Sequence, residues 1–222
     1  MSIKKKVFAV AATMTMVGGV SAVGLLPAMA QTPSCGPNCI TGYSAEFGPQ
    51  FIADVLRQGE KVGQPVILFR NTNSDPAEDF VFSDQGTVDD FNAAGLVSNA
   101  LALHYGALEA YEEEYSPYGV DSGLCIGVGT TAGNGTPVAL EPCGVSSKTV
   151  WVVDTNDSNN PDIVPLINGS DTNFSHPFVL HYPGNGYPTD MPRPQLNTWA
   201  LQLYSDGTPY DNELWGEFPS GK

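Results

Sequence analysis

Basic side chains are scarce in this sequence. Lysine and arginine together number nine against 24 aspartates and glutamates, and the formal net charge is −15. Three of the nine, Lys4, Lys5 and Lys6, stand at the very start of the chain. Nucleic acids and anionic membrane surfaces attract basic patches. We therefore expect neither nucleic acid nor, after removal of the N-terminal segment described next, a membrane as a partner.

Long apolar runs are also missing, apart from one early stretch at residues 7–26. This stretch follows the three lysines and precedes Ala28-Met29-Ala30, which fits a small-x-small cleavage site. Residues 1–30 are therefore predicted to be a cleaved signal peptide, and residues 31–222 to form one secreted, extracellular domain. A membrane anchor is the alternative interpretation of the apolar stretch.

Catalytic motifs are lacking. The three histidines, His104, His176 and His181, stand in no G-x-S-x-G, HExxH or comparable setting. We expect no catalytic residue and no enzyme activity, although a secreted hydrolase stays open as an alternative. The acidic pairs in Glu112 to Glu114 and at Asp89-Asp90 are interpreted as solvated charge, because the spacing that glycosidases need is spatial.

Metal and cofactor signals are weak as well. Residues 154–160 alternate oxygen-bearing side chains like the start of an EF-hand loop. Position six is Asn159 instead of glycine, and position twelve is Pro165 instead of glutamate. A plain polar loop is the better interpretation, and we expect no metal site and no cofactor.

Cysteine is present four times, which in an exported chain indicates two disulfides. Three pairings are possible. Cys35 with Cys39 and Cys125 with Cys143 are favoured, because each pair lies within one local turn system.

What the sequence does have is glycine, proline and short strand-like segments, which together favour an all-β protein. Three windows share one order of a strand, a polar loop and a large aromatic residue. They are residues 65–68 followed by Phe80, 137–140 followed by Trp151, and 200–203 followed by Trp215. Three such units predict a closed threefold barrel, with the aromatic rings in its core.

The middle unit carries a family resemblance. It reads LCIGVGTTAGNGTPVALEPCGVSSKTVW from Leu124 to Trp151. The cysteine spacing, the NGTPVAL segment and the tryptophan at a Gln-x-Trp position resemble the ricin-type β-trefoil lectins. The resemblance implies a β-trefoil-like barrel of three diverged repeats, at about 40–91, 116–170 and 177–222. Insertions are expected near 92–115 and 155–176, and the last strand would be missing or supplied by residues 40–50.

The same resemblance implies where sugars would bind. In the family, an aspartate from the first hairpin of a repeat is paired with an asparagine three residues before the tryptophan, and an aromatic ring often stacks on the sugar. No repeat holds the full pair: the first has Asp54 but Ala77, the second has Gly127 and Lys148, and the third keeps only Asn212. The ligand-binding residues that this pattern predicts are Asp54 and Asn212. Independently of the resemblance, Tyr182, Tyr187 and Trp199 lie in a Pro/Gly-rich stretch and are predicted to form an exposed aromatic platform that contacts the ligand.

The resulting expectation is a secreted binding protein, with glycans as the partner implied by the resemblance and with degenerate sugar sites. The leading alternative is an extracellular protein–protein interaction or inhibitor module on the same scaffold, because long loops on a rigid barrel often carry recognition.

Overall fold

The computed structural model describes Cys35, residues 38–184 and residues 194–219. The predicted signal peptide and Tyr187 lie outside the described residues, so both stay predictions. Among the described residues no helix has the length and apolar character needed to cross a membrane.

Twelve strands, two α-helices and six three-residue 3-10 helices make up the regular structure of the described residues. The strands are β1 Ile40–Ser44, β2 Phe51–Val55, β3 Val66–Arg70, β4 Phe80–Thr87, β5 Glu109–Tyr115, β6 Leu124–Val128, β7 Thr136–Pro142, β8 Val150–Val153, β9 Leu166–Asn168, β10 Phe178–His181, β11 Asn197–Ala200 and β12 Trp215–Pro219. The helices, α1 Val88–Ala93 and α2 Asn99–Tyr105, lie between β4 and β5.

The strand pairing divides the chain into three groups of four. The first and last strand of each group form a closed ring of antiparallel neighbours, β1, β4, β5, β8, β9 and β12. A bridge between Val164, two residues before β9, and Trp215 at the start of β12 completes this ring. The middle strands form the hairpins β2–β3, β6–β7 and β10–β11, which also contact one another. The chain folds as a β-trefoil.

Large aromatic residues fill the barrel, as the repeat predicts. Phe80, Trp151 and Trp215 are all buried in the main apolar cluster. The indole Nε1 of Trp151 donates to the carbonyl of Ile126 at 2.9 Å, and that of Trp215 donates to the carbonyl of Leu180 at 2.9 Å. These matching bonds pair each tryptophan with the first hairpin strand of its own repeat.

The strand groups begin earlier than the expected repeat boundaries. The second group starts at Glu109 and the third at Leu166, instead of near residues 116 and 177. The run of glutamates in β5 concealed that strand, and β9 has only three residues. The last strand is present, because β12 pairs along the whole of β1, from Ile40 opposite Pro219 to Ser44 opposite Trp215.

The insertion after β4 packs on the outside of the barrel. Val88, Phe91 and Leu101 of this segment are buried in a second apolar cluster with Val152 and Ile167. Both helices begin with a side-chain cap: the Thr87 hydroxyl accepts from the Asp90 amide, and the Ser98 hydroxyl accepts from the Leu101 amide.

Both predicted cysteine pairs are confirmed, with Cα atoms 5.8 Å apart for Cys35 and Cys39 and 5.1 Å apart for Cys125 and Cys143.

Replacing Cys125 and Cys143 together by alanine is expected to lower the free energy of unfolding by about 3 kcal/mol, because the unfolded chain loses its larger closed loop. The same change at Cys35 and Cys39, which closes a much smaller loop, is expected to cost about 2 kcal/mol. Urea unfolding of the two double variants measures the difference, and a larger loss at Cys35 and Cys39 would contradict it.

Candidate functional site

The three hairpins can be compared residue by residue through their strand registers. Asp54, Gly127 and His181 are each the fourth residue of the first hairpin strand of their repeat. Ile126 and Leu180, which accept the tryptophan hydrogen bonds, immediately precede Gly127 and His181. His181 therefore occupies the position in the third repeat that Asp54 occupies in the first.

This histidine is joined to the predicted residue Asn212. The Asn212 Nδ2 atom lies 3.0 Å from His181 Nε2 and donates to the carbonyl of Tyr182 at 3.1 Å. Because the amide group of Asn212 donates, His181 Nε2 accepts, and the ring proton is assigned to Nδ1. That nitrogen lies 2.7 Å from Asn197 Oδ1, its hydrogen-bond acceptor. Burial lowers the pKa of His181, which favours this neutral form.

Trp199 completes a cluster with these residues. Its ring centroid lies 5.7 Å from that of His181, with 32° between the planes, and the side chain is half-buried. The β10–β11 register places Trp199 opposite Val179, two residues along from the pair of His181 and Asn197. We call His181, Asn197, Trp199 and Asn212 the third-repeat cluster.

The cluster keeps hydrogen-bonding capacity. Within the described part of the chain, Asn212 Oδ1 and Asn197 Nδ2 make no hydrogen bond, while the opposite ends of both amides are held in place. One acceptor and one donor of fixed orientation therefore lie beside a partly exposed indole ring. Such a set can bind a ligand that has adjacent hydroxyl groups and an apolar face.

The first repeat offers a different environment. Asp54 is only 3% exposed on β2, and Ala77, at the position of Asn212, is buried as well. The two predicted residues Asp54 and Asn212 thus lie in different repeats and are not brought together. The structure shows no exposed polar pair at these two positions of the first repeat.

The second repeat has the closest family-like sequence but no room at its site. A Cβ atom on Gly127 would lie 2.8 Å from both the Lys148 carbonyl oxygen and Thr149 Cγ2. The backbone after β7 therefore fills the space where an aspartate side chain would extend in this repeat.

The predicted aromatic platform is only partly formed. Tyr182 is 1% exposed, and its ring packs edge-on against Phe47 at 5.4 Å. It belongs to the main apolar cluster of the barrel and is not available as an exposed platform. Trp199 is the one member of the predicted platform that is both described and partly exposed.

The glutamates of β5 are not solvated, contrary to the sequence-based interpretation. Glu112, Glu113 and Glu114 are 1%, 5% and 8% exposed. Glu112 accepts from the amide of Gly144 at 2.9 Å and from the hydroxyl of Thr149. Three successive residues are buried because β5 pairs with β4 on one side and with β6 and β8 on the other.

A buried acid also adjoins the third-repeat cluster. Glu213, next to Asn212, accepts from the amide of Gln202 at 2.7 Å. Burial raises the pKa of Glu213 to about 7, and the hydrogen bond from Gln202 partly opposes this rise.

The loop at residues 154–160, whose start resembles an EF-hand loop, also contains a buried acid. Burial raises the pKa of Asp154 to about 6. Within the described ranges no group of three or more His, Cys, Asp and Glu side chains could hold a metal ion.

His181 and Asn197 were missed as site residues by sequence reasoning. The first hairpin strand of the third repeat, β10, contains no aspartate, so the family pattern indicates no site residue on it. Counting to the fourth residue of that strand, the position that Asp54 has in its own strand, identifies His181.

Comparison with known proteins supports the fold. No family model matches the chain, and no curated protein matches it in sequence. A designed 3-fold symmetric protein, ThreeFoil, superposes with a TM-score of 0.53 at 15% identity, covering 81% of this chain and 97% of that one. A mosquitocidal holotoxin gives 0.51 at 11% identity, covering 82% of this chain and 17% of that one.

A lectin is among the similar structures. The Polyporus squamosus lectin, bound to the human-type influenza-binding epitope Neu5Aca2-6Galb1-4GlcNAc, gives a TM-score of 0.51 at 10% identity. The match covers 82% of this chain and 49% of the lectin. This chain thus spans about half of the lectin and a small part of the holotoxin. At these identities the comparisons establish a shared fold and nothing finer.

Proposed function

We propose that the protein is a secreted carbohydrate-binding protein, without catalytic activity, whose sugar site is the third-repeat cluster. The observation that carries the proposal is the hydrogen bond between His181 and Asn212, at the two positions where the ricin-type resemblance places a sugar-binding pair. The neutral histidine replaces the family's aspartate and holds the asparagine amide in a fixed orientation.

The chemistry of the cluster supports a sugar ligand. A pyranose has an apolar C–H face and a rim of hydroxyl groups. The indole of Trp199 provides a flat apolar surface, and the free amide atoms of Asn197 and Asn212 provide one donor and one acceptor. The similarity to a lectin structure is consistent with this function through the fold.

Secretion is part of the same proposal. It rests on the signal-like residues 1–30 and on the two cysteine pairs, because disulfides persist in oxidising compartments.

Binding of the purified protein to a broad panel of glycans and insoluble polysaccharides tests the proposal. For any glycan that binds, Trp199→Ala and Asn212→Ala are expected to weaken the affinity at least about 30-fold, equivalent to roughly 2 kcal/mol, since each removes a central contact. Matched controls are Tyr118→Ala and Asn159→Ala, which remove an exposed ring and an exposed amide elsewhere on the surface. Both controls are expected to bind within twofold of the unchanged protein.

Other outcomes separate the alternatives. Glycan binding that is lost in Asp54→Ala but kept in Asn212→Ala would move the site to the first repeat. Absence of binding across the panel, with an extracellular protein recovered as a specific partner, would favour the protein–protein module. Hydrolysis of a panel member that depends on a single histidine or carboxylate would favour the hydrolase.

A further inference from the structure

One end of the barrel contains a cavity of about 480 Å³ that no part of the proposed sugar site uses. Every strand of the barrel ring contributes a lining residue, here represented by Tyr43, Phe82, Tyr111, Val153, Leu166 and Glu217. The cavity therefore results from the closure of the barrel and is not a crevice between loops. We call it the barrel-end cavity.

Aromatic rings form part of its wall. The rings of Phe82 and Tyr111 meet at 4.9 Å between centroids and 61° between planes. The ring of Tyr43 lies across Gly216, where a Cβ atom would come within 2.5 Å of its hydroxyl oxygen. A side chain at position 216 would therefore displace the Tyr43 ring from the cavity wall, and glycine leaves room for the ring.

One buried oxygen that lines this cavity, and a second one behind its wall, receive no hydrogen bond. Tyr111 and Glu113 are each 5% exposed, and neither the Tyr111 hydroxyl oxygen nor Glu113 Oε1 accepts a hydrogen bond from a described residue. Burying a polar atom without a hydrogen-bond partner is unfavourable, because the atom loses its hydrogen bonds to water. Tyr111 lines the cavity, so a ligand there can donate a hydrogen bond to its hydroxyl oxygen.

The charges around the cavity are all of one sign. Glu109, Asp162 and Glu217 line it, and Glu113 lies beside Glu217. None of the lysines, arginines and histidines in the described ranges is among the lining residues. Burial, and secondarily the charge of Glu217, raise the pKa of Glu113 well above its ordinary value. Burial raises the pKa of Glu217 to about 7, although the Tyr111 hydroxyl opposes this rise.

We propose that the barrel-end cavity binds an organic ammonium ion of the size of a linear diamine or triamine. An ammonium group has only donors to offer, which matches two acceptors that line the cavity, the Glu217 carboxyl and the Tyr111 oxygen, with Glu113 adding charge beside Glu217. The aromatic rings of Tyr43 and Phe82 attract a cation through their faces and cover its methylene chain. The negative charge of the whole protein raises the local concentration of such a cation.

Isothermal titration calorimetry of the purified protein with spermidine at pH 7 tests this site. We expect saturable binding with release of protons, because an ammonium ion beside Glu113 and Glu217 favours their charged forms. Proton release appears as a binding enthalpy that changes with the ionisation enthalpy of the buffer. The titratable groups that face the cavity are Tyr43, Glu109, Tyr111, Asp162 and Glu217, with Glu113 behind them.

The variant Glu217→Gln, which keeps the shape of the side chain, is expected to weaken spermidine binding at least tenfold. Its matched control, Glu60→Gln, removes one exposed carboxylate elsewhere and is expected to stay within twofold. A lysine derivative blocked at its α-amino group distinguishes a peptide ammonium from a free amine as the source of the ligand.

Three results would overturn the proposal: no saturable heat with spermidine, equal weakening in both variants, or equal binding of a neutral polyol. If Glu217→Gln fails to fold, the buffer dependence of the unchanged protein decides, because binding without proton release contradicts the site. Since these readouts use an amine and no glycan, they are independent of the sugar proposal.

Discussion

Placing the family's aspartate in the second repeat, as Gly127→Asp, is expected to destabilise the protein by roughly 3–5 kcal/mol without creating a sugar site. A Cβ atom there would lie 2.8 Å from the Lys148 carbonyl oxygen and from Thr149 Cγ2. That carbonyl also accepts from Asn168 Nδ2 at 3.0 Å, so it is not free to move away. The new carboxylate would in addition be forced against a carbonyl oxygen.

Urea unfolding followed by circular dichroism measures this effect. The smaller change Gly127→Ala is expected to cost less than Gly127→Asp but still more than 1 kcal/mol. The matched control is Gly133→Ala, because the nearest atom to a Cβ there is Thr136 Oγ1 at 3.4 Å. If Gly127→Asp unfolds within 1 kcal/mol of the unchanged protein, the second repeat has room for the side chain and our account of that repeat is wrong.

The protein is expected to be more stable at pH 5 than at pH 8, by several kcal/mol. Burial raises the pKa of Glu213 and Glu217 to about 7 and that of Asp154 to about 6, and it raises the pKa of Glu113 as well. Between the ordinary and the raised pKa, the folded protein holds protons that the unfolded chain has lost. The free energy of unfolding therefore falls as the pH rises through this window, and the lowered pKa of the single residue His181 opposes only part of this fall. A shift as large as that of Glu213 corresponds to roughly 3 kcal/mol.

Two exposed aspartates act in a different range. Hydrogen bonds from Thr87 and Thr208 lower the pKa of Asp90 and Asp206 below the ordinary 3.8, so the contribution of these two residues to stability is lost only in stronger acid.

Urea unfolding midpoints at pH 5 and pH 8 measure the loss of stability predicted for the buried carboxyls. Glu213→Gln is expected to reduce the difference between the two pH values, whereas Glu60→Gln, at the surface, leaves it unchanged. Stability that rises between pH 5 and pH 8 would contradict the burial of these carboxyls.

Much of the fold was accessible from the sequence because its main signals are local. Residues 124–151 contain a complete hairpin, a cysteine pair and the core tryptophan, and the structure confirms each of them. The aromatic positions of Phe80 and Trp215 were found by counting from their strands. β5 was missed because three adjacent glutamates suggest solvent, and the burial of both faces depends on neighbours distant in sequence.

The candidate site was harder to predict for the same reason. Asn212 could be found from its distance to Trp215, but its hydrogen bond to His181 joins residues 31 positions apart. In the sequence, Gly127 stands where the family has an aspartate. Only the structure shows that Lys148 and Thr149 fill the space that an aspartate side chain would need there. Sequence spacing located the positions, whereas the packing of the backbone determined which position is open.

The most direct test of the third-repeat site uses the chain's three tryptophans. Trp151 and Trp215 are buried and their Nε1 atoms donate to carbonyls, whereas Trp199 is half-exposed. An NMR titration of the ¹⁵N-labelled protein with a glycan that binds would follow the three indole N–H signals, assigned with Trp199→Phe. We predict that the Trp199 signal shifts in proportion to saturation while the Trp151 signal stays in place. A glycan that saturates the protein and leaves the Trp199 signal unmoved would contradict the central claim that the third repeat carries the site.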